Sequence, residues 1–357
     1  LKRLTLLIGL TCLAACSSEE EMVVADTPAA TFATQTRTEA TEPASRPVRV
    51  AITLGEFESR VTDLAALEVA PFGFQSLVYA ANGDTGIAAV QADGQSPFVI
   101  ETERTPFQIA TMPVIGGGLL LSVSRDGYLE IYPAQGGDRL VGEDVLPDAV
   151  ADLCAGPAGD DGMFSFSLVT EAGGIRSFEL TEDEGALTVE DLASEDIGGV
   201  TGCTVVGGRT ILRGSGTWGS SGGAKGDGAV LALESGGEIY TLTASPEGLR
   251  SDGQTIELTD DRGEPLRPQQ VQVARGNFGG VLRDGAVIVL DERRGLHLFP
   301  WSAVADQLGA PRRLEGWTAA LAEEDSLFDF GDQASEIMLE KERPGFEDRA
   351  LPEPPGR

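Results

Sequence analysis

The chain has a single histidine, His297, among 357 residues. A metal site or catalytic relay that needs several imidazoles is therefore excluded. His297 stands between Leu296 and Leu298 in a strand-like run, so alternation turns it away from their face and onto the surface. Basic residues are also scarce, with 26 Lys and Arg against 57 Asp and Glu and a formal net charge of −31. Nucleic acid is excluded as a partner, because its phosphates are held by Lys and Arg. Such a balance suits a solvated extracytoplasmic protein or one that recruits cations. Aromatic residues make up only 6%, which leaves the core to Leu, Val, Ile and Ala. Only two of the four cysteines, Cys154 and Cys203, lie beyond the N-terminal region. Neither is suited to act as a nucleophile, since the one histidine is distant and no orienting partner is visible. The apolar run at residues 4–10 is too short to cross a bilayer as a stable helix.

That run has a different meaning in its context. Lys2 and Arg3 precede it, and Leu13-Ala14-Ala15-Cys16 followed by Ser17-Ser18 comes after it. A charged start, an apolar stretch and small residues before a cysteine mark a targeting segment. The pattern resembles a lipobox, where a bacterial lipoprotein signal peptidase cuts before a diacylated cysteine. Residues 1–15 are read as the signal peptide and Cys16 as the lipidation site. Several acyl chains on Cys16 make the membrane a stable partner, which one chain alone does not. Serine after the cysteine is similar to lipoproteins sorted to the outer membrane, so the expected location is the cell envelope. Residues 16–46 are rich in Thr, Ala, Glu, Pro and Ser and read as a disordered tether. A flexible segment of this length reaches roughly 30 Å.

The body of the chain, residues 47–315, repeats one pattern. In residues 119–132 an apolar strand climbs, Asp126-Gly127 reverses it, and a strand with alternating apolar residues descends. Gly86, Gly174, Gly237 and Gly295 open similar strands, at successive intervals from Gly86 of 41, 47, 63 and 58 residues. A β-unit repeating every roughly 40–50 residues predicts an all-β propeller, since one small sheet cannot bury both faces alone. Five repeats are clear and the length has room for six blades. The fourth unit is placed at residues 200–246 and carries a glycine-rich insertion at 214–228. Residues 254–273 supply strands of another blade, and residues 48–54 complete the last blade and close the ring. A short helix is predicted at 301–307. Residues 316–357 read as an acidic helical stretch followed by a disordered Pro-rich tail.

Cys154 and Cys203 each begin an equivalent region of successive units. An even pair outside the cytoplasm suggests a disulfide, with two buried free thiols as the alternative. Asp160-Asp161-Gly162 and Asp260-Asp261-Arg262-Gly263-Glu264 lack EF-hand spacing and read as solvated turns. The 214–228 segment contains Lys225 but lacks the order of a nucleotide loop, and reads as a flexible insertion.

Leu153-Cys154 and Gly202-Cys203 resemble the Tyr-Gly-Leu-Cys and Glu-Gly-Cys segments of Gram-negative β-propeller phytases. In the same order, Thr62-Asp63-Leu64-Ala65-Ala66 is similar to that family's Thr-Asp-Asp-Pro-Ala, and Gly86-Ile-Ala-Ala-Val to its Gly-Leu-Ala-Val-Tyr. Ser124-Arg125-Asp126-Gly127 with Ile131-Tyr132 resembles its Asn-Arg turn leading into Ile-Glu-Ile-Tyr, and Phe178-Glu179-Leu180 its Tyr-Glu-Leu. The resemblance covers residues 60–250 and implies a six-bladed propeller. It also implies a channel where carboxylates hold Ca²⁺, which binds phosphates and activates water. On this chain it makes Arg125 a phosphate ligand and Asp63 a metal ligand, with Asp148 and Asp152 adjacent. The match is incomplete: Leu64 replaces the second aspartate, Ala149 and Thr201 replace two glutamates, and Glu171-Ala172 stands where a lysine is expected. No catalytic residue is assigned. The expected function is a non-catalytic binding or scaffolding module for an envelope protein or a phosphorylated small molecule. The alternative is a calcium-dependent phosphate-monoester hydrolase, with Asp63, Asp148 and Asp152 as metal ligands. A third reading, a propeller subunit of an envelope assembly machine, shares only the architecture.

Overall fold

Alternating β-branched and aliphatic residues between glycine-led turns make this chain a succession of short antiparallel strands. The computed structural model describes residues 46–314, except 70–71, 84–85, 115–116, 136–139, 157–163, 184–185, 197, 207–208, 215–227, 233–238 and 252–253. The segment read as a signal peptide, Cys16, all but the end of the expected tether, Asp160-Asp161-Gly162, nearly all of the glycine-rich stretch and residues 316–357 lie outside the described residues.

The chain opens with β1 (Val48–Arg49) and β2 (Ile52–Glu56). Blade 1 is β3 (Val61–Leu67), β4 (Leu77–Asn82), β5 (Gly86–Gln91) and β6 (Phe98–Ile100). Blade 2 is β7 (Gln108–Val114), β8 (Gly117–Val123), β9 (Tyr128–Pro133) and β10 (Gly142–Val145). Blade 3 is β11 (Val150–Ala155), β12 (Phe164–Thr170), β13 (Ile175–Asp183) and β14 (Ala186–Glu195). Blade 4 contributes β15 (Val200–Val206) and β16 (Arg209–Gly214) among the described residues. Blade 5 is β17 (Gly228–Ala232), β18 (Ile239–Ser245), β19 (Gly248–Ser251) and β20 (Gln254–Ile256), followed by β21 (Leu258–Thr259). Blade 6 is β22 (Pro268–Ala274), β23 (Ala286–Asp291) and β24 (Gly295–Pro300), completed by β2. Helix α1 (Trp301–Leu308) follows.

The first strands of the blades neighbour one another in the order β3, β7, β11, β15, β17, β22 and back to β3. The described residues thus form a closed six-bladed propeller. Closure comes from the N-terminus: β2 pairs antiparallel with β24, with Thr53 opposite His297. This covers a strand edge that would otherwise be open to pairing. Just before it, β1 pairs parallel with β21, Val48 opposite Leu258.

One repeat marker is corrected. Gly86 and Gly248 both begin the third strand of a blade at positive φ, +98° and +137°. A Cβ at Gly86 would sit 2.3 Å from the Ile100 carbonyl oxygen, and one at Gly248 2.2 Å from that of Ile256. Gly248, not Gly237, is therefore the repeat position of blade 5. Gly237 falls outside the described residues, between β17 and β18. The unit read at 200–246 contains strands of two blades, which explains its stretched interval.

As the composition implies, the core is mainly aliphatic. Val78, Ala80 and Ala81 in blade 1 and Val287, Ile288 and Val289 in blade 6 are fully buried. Large rings fill a few places, such as the stacked Phe166 and Phe178, with ring centroids 5.1 Å apart. Trp301 caps blade 6, and its Nε1–H donates to the Pro311 carbonyl at 2.8 Å. No helix among the described residues is long and apolar enough to cross a membrane.

Candidate ligand site in the central channel

Strands β3, β7, β11, β15 and β22, with the end of β18, line a cavity of about 780 Å³. Several of them begin with an irregularity in register, between Val61 and Asp63, Val150 and Asp152, Val200 and Gly202, and Pro268 and Gln270. An extra residue of this kind bends the strand and re-aims the next side chain. Asp63, Asp152, Gly202 and Gln270 are therefore equivalent positions near one rim.

The polar side chains at these positions reach across blade seams. Asp63 Oδ2 accepts from the Ile109 amide of blade 2 at 2.9 Å, and its Oδ1 from its neighbour Leu64 at 2.9 Å. Asp152 Oδ2 accepts from the Cys203 amide of blade 4 at 2.9 Å, and its Oδ1 from Leu153 at 3.1 Å. Gln270 Nε2 donates to the Val61 carbonyl of blade 1 at 3.2 Å. These side chains act as clamps between neighbouring blades. At the seam between blades 3 and 4 the clamp is joined by a disulfide between Cys154 and Cys203, with Cα atoms 5.8 Å apart. The disulfide expectation is met.

The expected metal ligands are not brought together. Asp63 and Asp152 line the cavity, but Asp148 does not. Asp148 is paired with Arg176 at 2.7 Å, and Arg176 also holds Asp191. The hydrogen bond that Arg176 donates to Asp148 is the main reason its pKa is raised. Among the described residues, one group of metal-ligand side chains has ligand atoms within 4.8 Å of one another: Asp152, Cys154 and Cys203. Its two sulfurs are already bonded to each other. Calcium takes about six to eight oxygens. Carboxylates already accepting two backbone amides each, on separate seams, do not fit that demand. Of the three expected ligands, Asp63 and Asp152 clamp two blade seams and Asp148 joins a surface ion pair.

Arg125, expected from the resemblance as a phosphate ligand, is a cavity residue. Its guanidinium carbon lies 4.0 Å from the centre of the Phe107 ring. Two further arginines line the same rim, Arg60 just before β3 and Arg294 in the turn between β23 and β24. Arg125 occupies the corresponding turn between β8 and β9. Arg294 holds a left-handed backbone, φ +66°, and its Nη1 donates to the Glu58 carbonyl. None of the three joins the ion pairs found among the described residues. The sequence reading missed Arg60, Arg294 and Gln270. One signal was present: the dipeptide Asp-Leu recurs at 63–64 and 152–153, two repeats apart, and marks equivalent positions.

His297 is not on the surface. It is 6% exposed, with Nδ1 3.1 Å from Thr53 Oγ1 and Nε2 3.3 Å from Asp291 Oδ2. The alternation argument fails because β24 is buried on both faces, with Leu296 and Leu298 in one core cluster and Phe299 in another. Burial alone would raise the pKa of Asp291. Hydrogen bonds from His297 and from the Gly295 and Arg293 amides outweigh it and hold the carboxyl below its usual value. The group secures the closing strand and lies outside the cavity lining.

A second polar cluster lies on blade 2. Buried Glu130 accepts from the Tyr132 hydroxyl at 2.6 Å and the Glu103 amide at 2.7 Å. The neighbouring Tyr128 donates to Glu143, which with other nearby carboxylates pushes its pKa up to about 12. These bonds fasten the link between blades 1 and 2.

No protein-family model and no curated protein matches the chain. Similar solved structures include BBS1N in complex with ARL6DN, soaked with mercury. It is 10% identical, with 67% of this chain and 61% of that chain covered at a TM-score of 0.33. The lead-soaked form of that complex is 11% identical, with 68% and 66% covered at 0.33. The N-terminal domain of Nup159 is 9% identical, with 62% and 72% covered at 0.34. The chain thus spans less than two thirds of the length of the BBS1N chains. Likenesses this distant carry nothing about activity, and the propeller assignment stands on the strand pairing of this chain itself.

Proposed function

We propose that this chain is a phytase-like propeller lipoprotein of the outer membrane that binds an anionic, phosphate-bearing small molecule in its channel without hydrolysing it. The observation that carries this reading is the rim of Arg60, Arg125 and Arg294. Three arginines outside any ion pair among the described residues surround one cavity in a chain with a net charge of −31. Acidic side chains are abundant enough to neutralise them, so guanidinium groups left without a carboxylate partner favour an incoming anion. The carboxylates that calcium chemistry would need are engaged at blade seams. The lipid anchor rests on the Leu13-Ala14-Ala15-Cys16 pattern.

The hydrolase reading keeps one observation in its favour: Asp63 and Asp152 line the same cavity as Arg125. One experiment separates the two. Inositol hexakisphosphate is titrated into the protein, and phosphate release and melting temperature are followed with and without calcium. The expected result is binding that weakens about tenfold for Arg125→Ala and again for Arg294→Ala. No phosphate is released, and calcium leaves the melting temperature unchanged. Calcium-dependent phosphate release that Asp63→Asn abolishes would establish the hydrolase instead. Absence of binding and of release would reject both. Lipidation is checked separately, by the mass of the Cys16 peptide and by release of Cys16→Ser from the membrane fraction.

A further inference from the structure

The propeller has a second face, opposite the arginine rim, where β3 and β22 end and their loops turn outward. Three large apolar side chains stand exposed there: Phe72 at 54%, Phe74 at 49% and Val281 at 66%. The Phe72 and Phe74 ring centroids are 5.9 Å apart. The other exposed large apolar residues among those described, Val99, Val145 and Leu192, stand singly on the outermost strands of three different blades. A cluster exposed at this cost calls for a partner in a way that single residues do not.

The cluster is held on a firm base. Its two loops, from blades 1 and 6, interlock through Asn277. Ser76 Oγ donates to the Asn277 carbonyl at 2.8 Å, and the Asn277 amide donates to Glu68 at 2.7 Å. A Cβ on Gly73 would lie 2.3 Å from Asn277 Oδ1, so the loops meet at a point only glycine allows. The apolar side chains are thus projected as fixed knobs, with little ordering left to do on contact.

Two observations indicate what they meet. Arg283 follows Val281 by two positions and is exposed, its Nε 3.9 Å from Asp284 Oδ2, and Arg313 is exposed on a segment tied to the same loop. The ties are the Leu314 amide to the Asp284 carbonyl at 2.9 Å and the Gly276 amide to the Leu314 carbonyl at 3.1 Å. The chain also arrives on this side. α1 begins where β24 ends, and Gln307 on α1 donates to the carbonyl of Arg46 at 2.8 Å. Arg46 is the residue from which the expected tether leads back to Cys16.

We propose that this face docks directly on a phospholipid bilayer. Phe72, Phe74 and Val281 enter the boundary between headgroups and acyl chains, while Arg283 and Arg313 meet headgroup phosphates. The net charge of −31 opposes a strongly anionic surface, so apolar insertion carries the contact and the arginines relieve local repulsion. The orientation rests on the lipid-anchor reading, because a tether entering at this face raises the local lipid concentration seen by the knobs. Docked in this way, the arginine rim faces away from the bilayer.

The test uses the mature chain, residues 16–357, carrying Cys16→Ser so that no acyl chain contributes. Vesicles of phosphatidylethanolamine and phosphatidylglycerol are added to Phe74→Trp and, as a control on blade 2, to Val145→Trp. The Phe74→Trp emission is expected to shift to the blue and to be quenched by bromine placed near the headgroup end of the acyl chains. The control emission stays unchanged. A Phe72→Ser, Val281→Ser double variant that melts like the parent is expected to partition onto vesicles at least about tenfold less. Unquenched Phe74→Trp emission at saturating vesicle concentration overturns the proposal, as does unchanged partitioning of the double variant. Cross-linking of Phe74 to an envelope protein, without lipid contact, assigns the face to a protein partner and also overturns it. The Cys16 mass measurement is unaffected by these outcomes, so failure of docking and failure of the anchor are distinguishable.

Discussion

Asp152 shows how a residue type with two uses is decided by its neighbours. Its carboxylate suits a metal, yet both oxygens accept backbone amides and one of those amides belongs to the next blade. Asp152→Ala leaves the buried Cys203 amide without its acceptor and is expected to cost about 1–3 kcal/mol in urea unfolding. An unchanged midpoint would show that the clamp contributes nothing. Asp291 makes a pH-dependent contribution. Its folded pKa lies below the ordinary carboxylate value. Its stabilising effect is therefore complete above that ordinary value, about 4, and is lost as pH falls through the lower folded value. Asp291→Asn is expected to flatten the loss of stability below about pH 4 in an acid unfolding series. Asp63 was singled out only through the resemblance of Thr62-Asp63-Leu64-Ala65-Ala66, and its place at the start of a strand came from the structure. The burial of His297 was not legible, because local alternation contains no record of which strands are covered on both faces.

At the scale of the element, the repeat was legible wherever glycine answers a backbone demand. Gly86 sits against the Ile100 carbonyl at positive φ, so no other residue fits. Gly86→Ala is expected to cost about 3 kcal/mol or more, combining backbone strain with a steric clash. Gly263 also has positive φ, +87°, but a Cβ there meets nothing within 4 Å. Gly263→Ala should cost only about 1–2 kcal/mol. Thermal unfolding of the pair checks the order, and equal losses would mean that the contact with Ile100 has no weight. Gly237 misled the reading because glycine before an alternating run looks the same in sequence whether or not a close strand approach requires it.

In the whole molecule, stability depends on how the ring is closed and how its seams are held. One closure is the pairing of β2 with β24. A covalent bond, Cys154 to Cys203, spans the seam of blades 3 and 4 and a sequence separation of 49. Replacing both cysteines by serine is expected to lower stability by about 2–4 kcal/mol in denaturant unfolding under oxidising conditions. Combined with Asp152→Ala, the loss should differ from the sum of the separate losses, since both hold the same seam. Strict additivity would show that amide clamp and disulfide act independently.

Much of this architecture followed from residues read alone. The period of the glycine-led hairpins, the N-terminal strand that completes the last blade, the helix after blade 6 and the pairing of two cysteines are local or countable features. They depend on backbone conformation and on pattern, which a sequence records directly. The tertiary structure alone decided which carboxylates meet. Asp63, Asp148 and Asp152 are close in type and in rank along the repeat, but blade geometry sends them to two seams and one surface pair. It also decided that Arg60, Arg125 and Arg294 share a rim, and that Phe72, Phe74 and Val281 share the opposite face. Residues more than two hundred positions apart become neighbours only when the ring closes, and that closure places blade 6 beside blade 1.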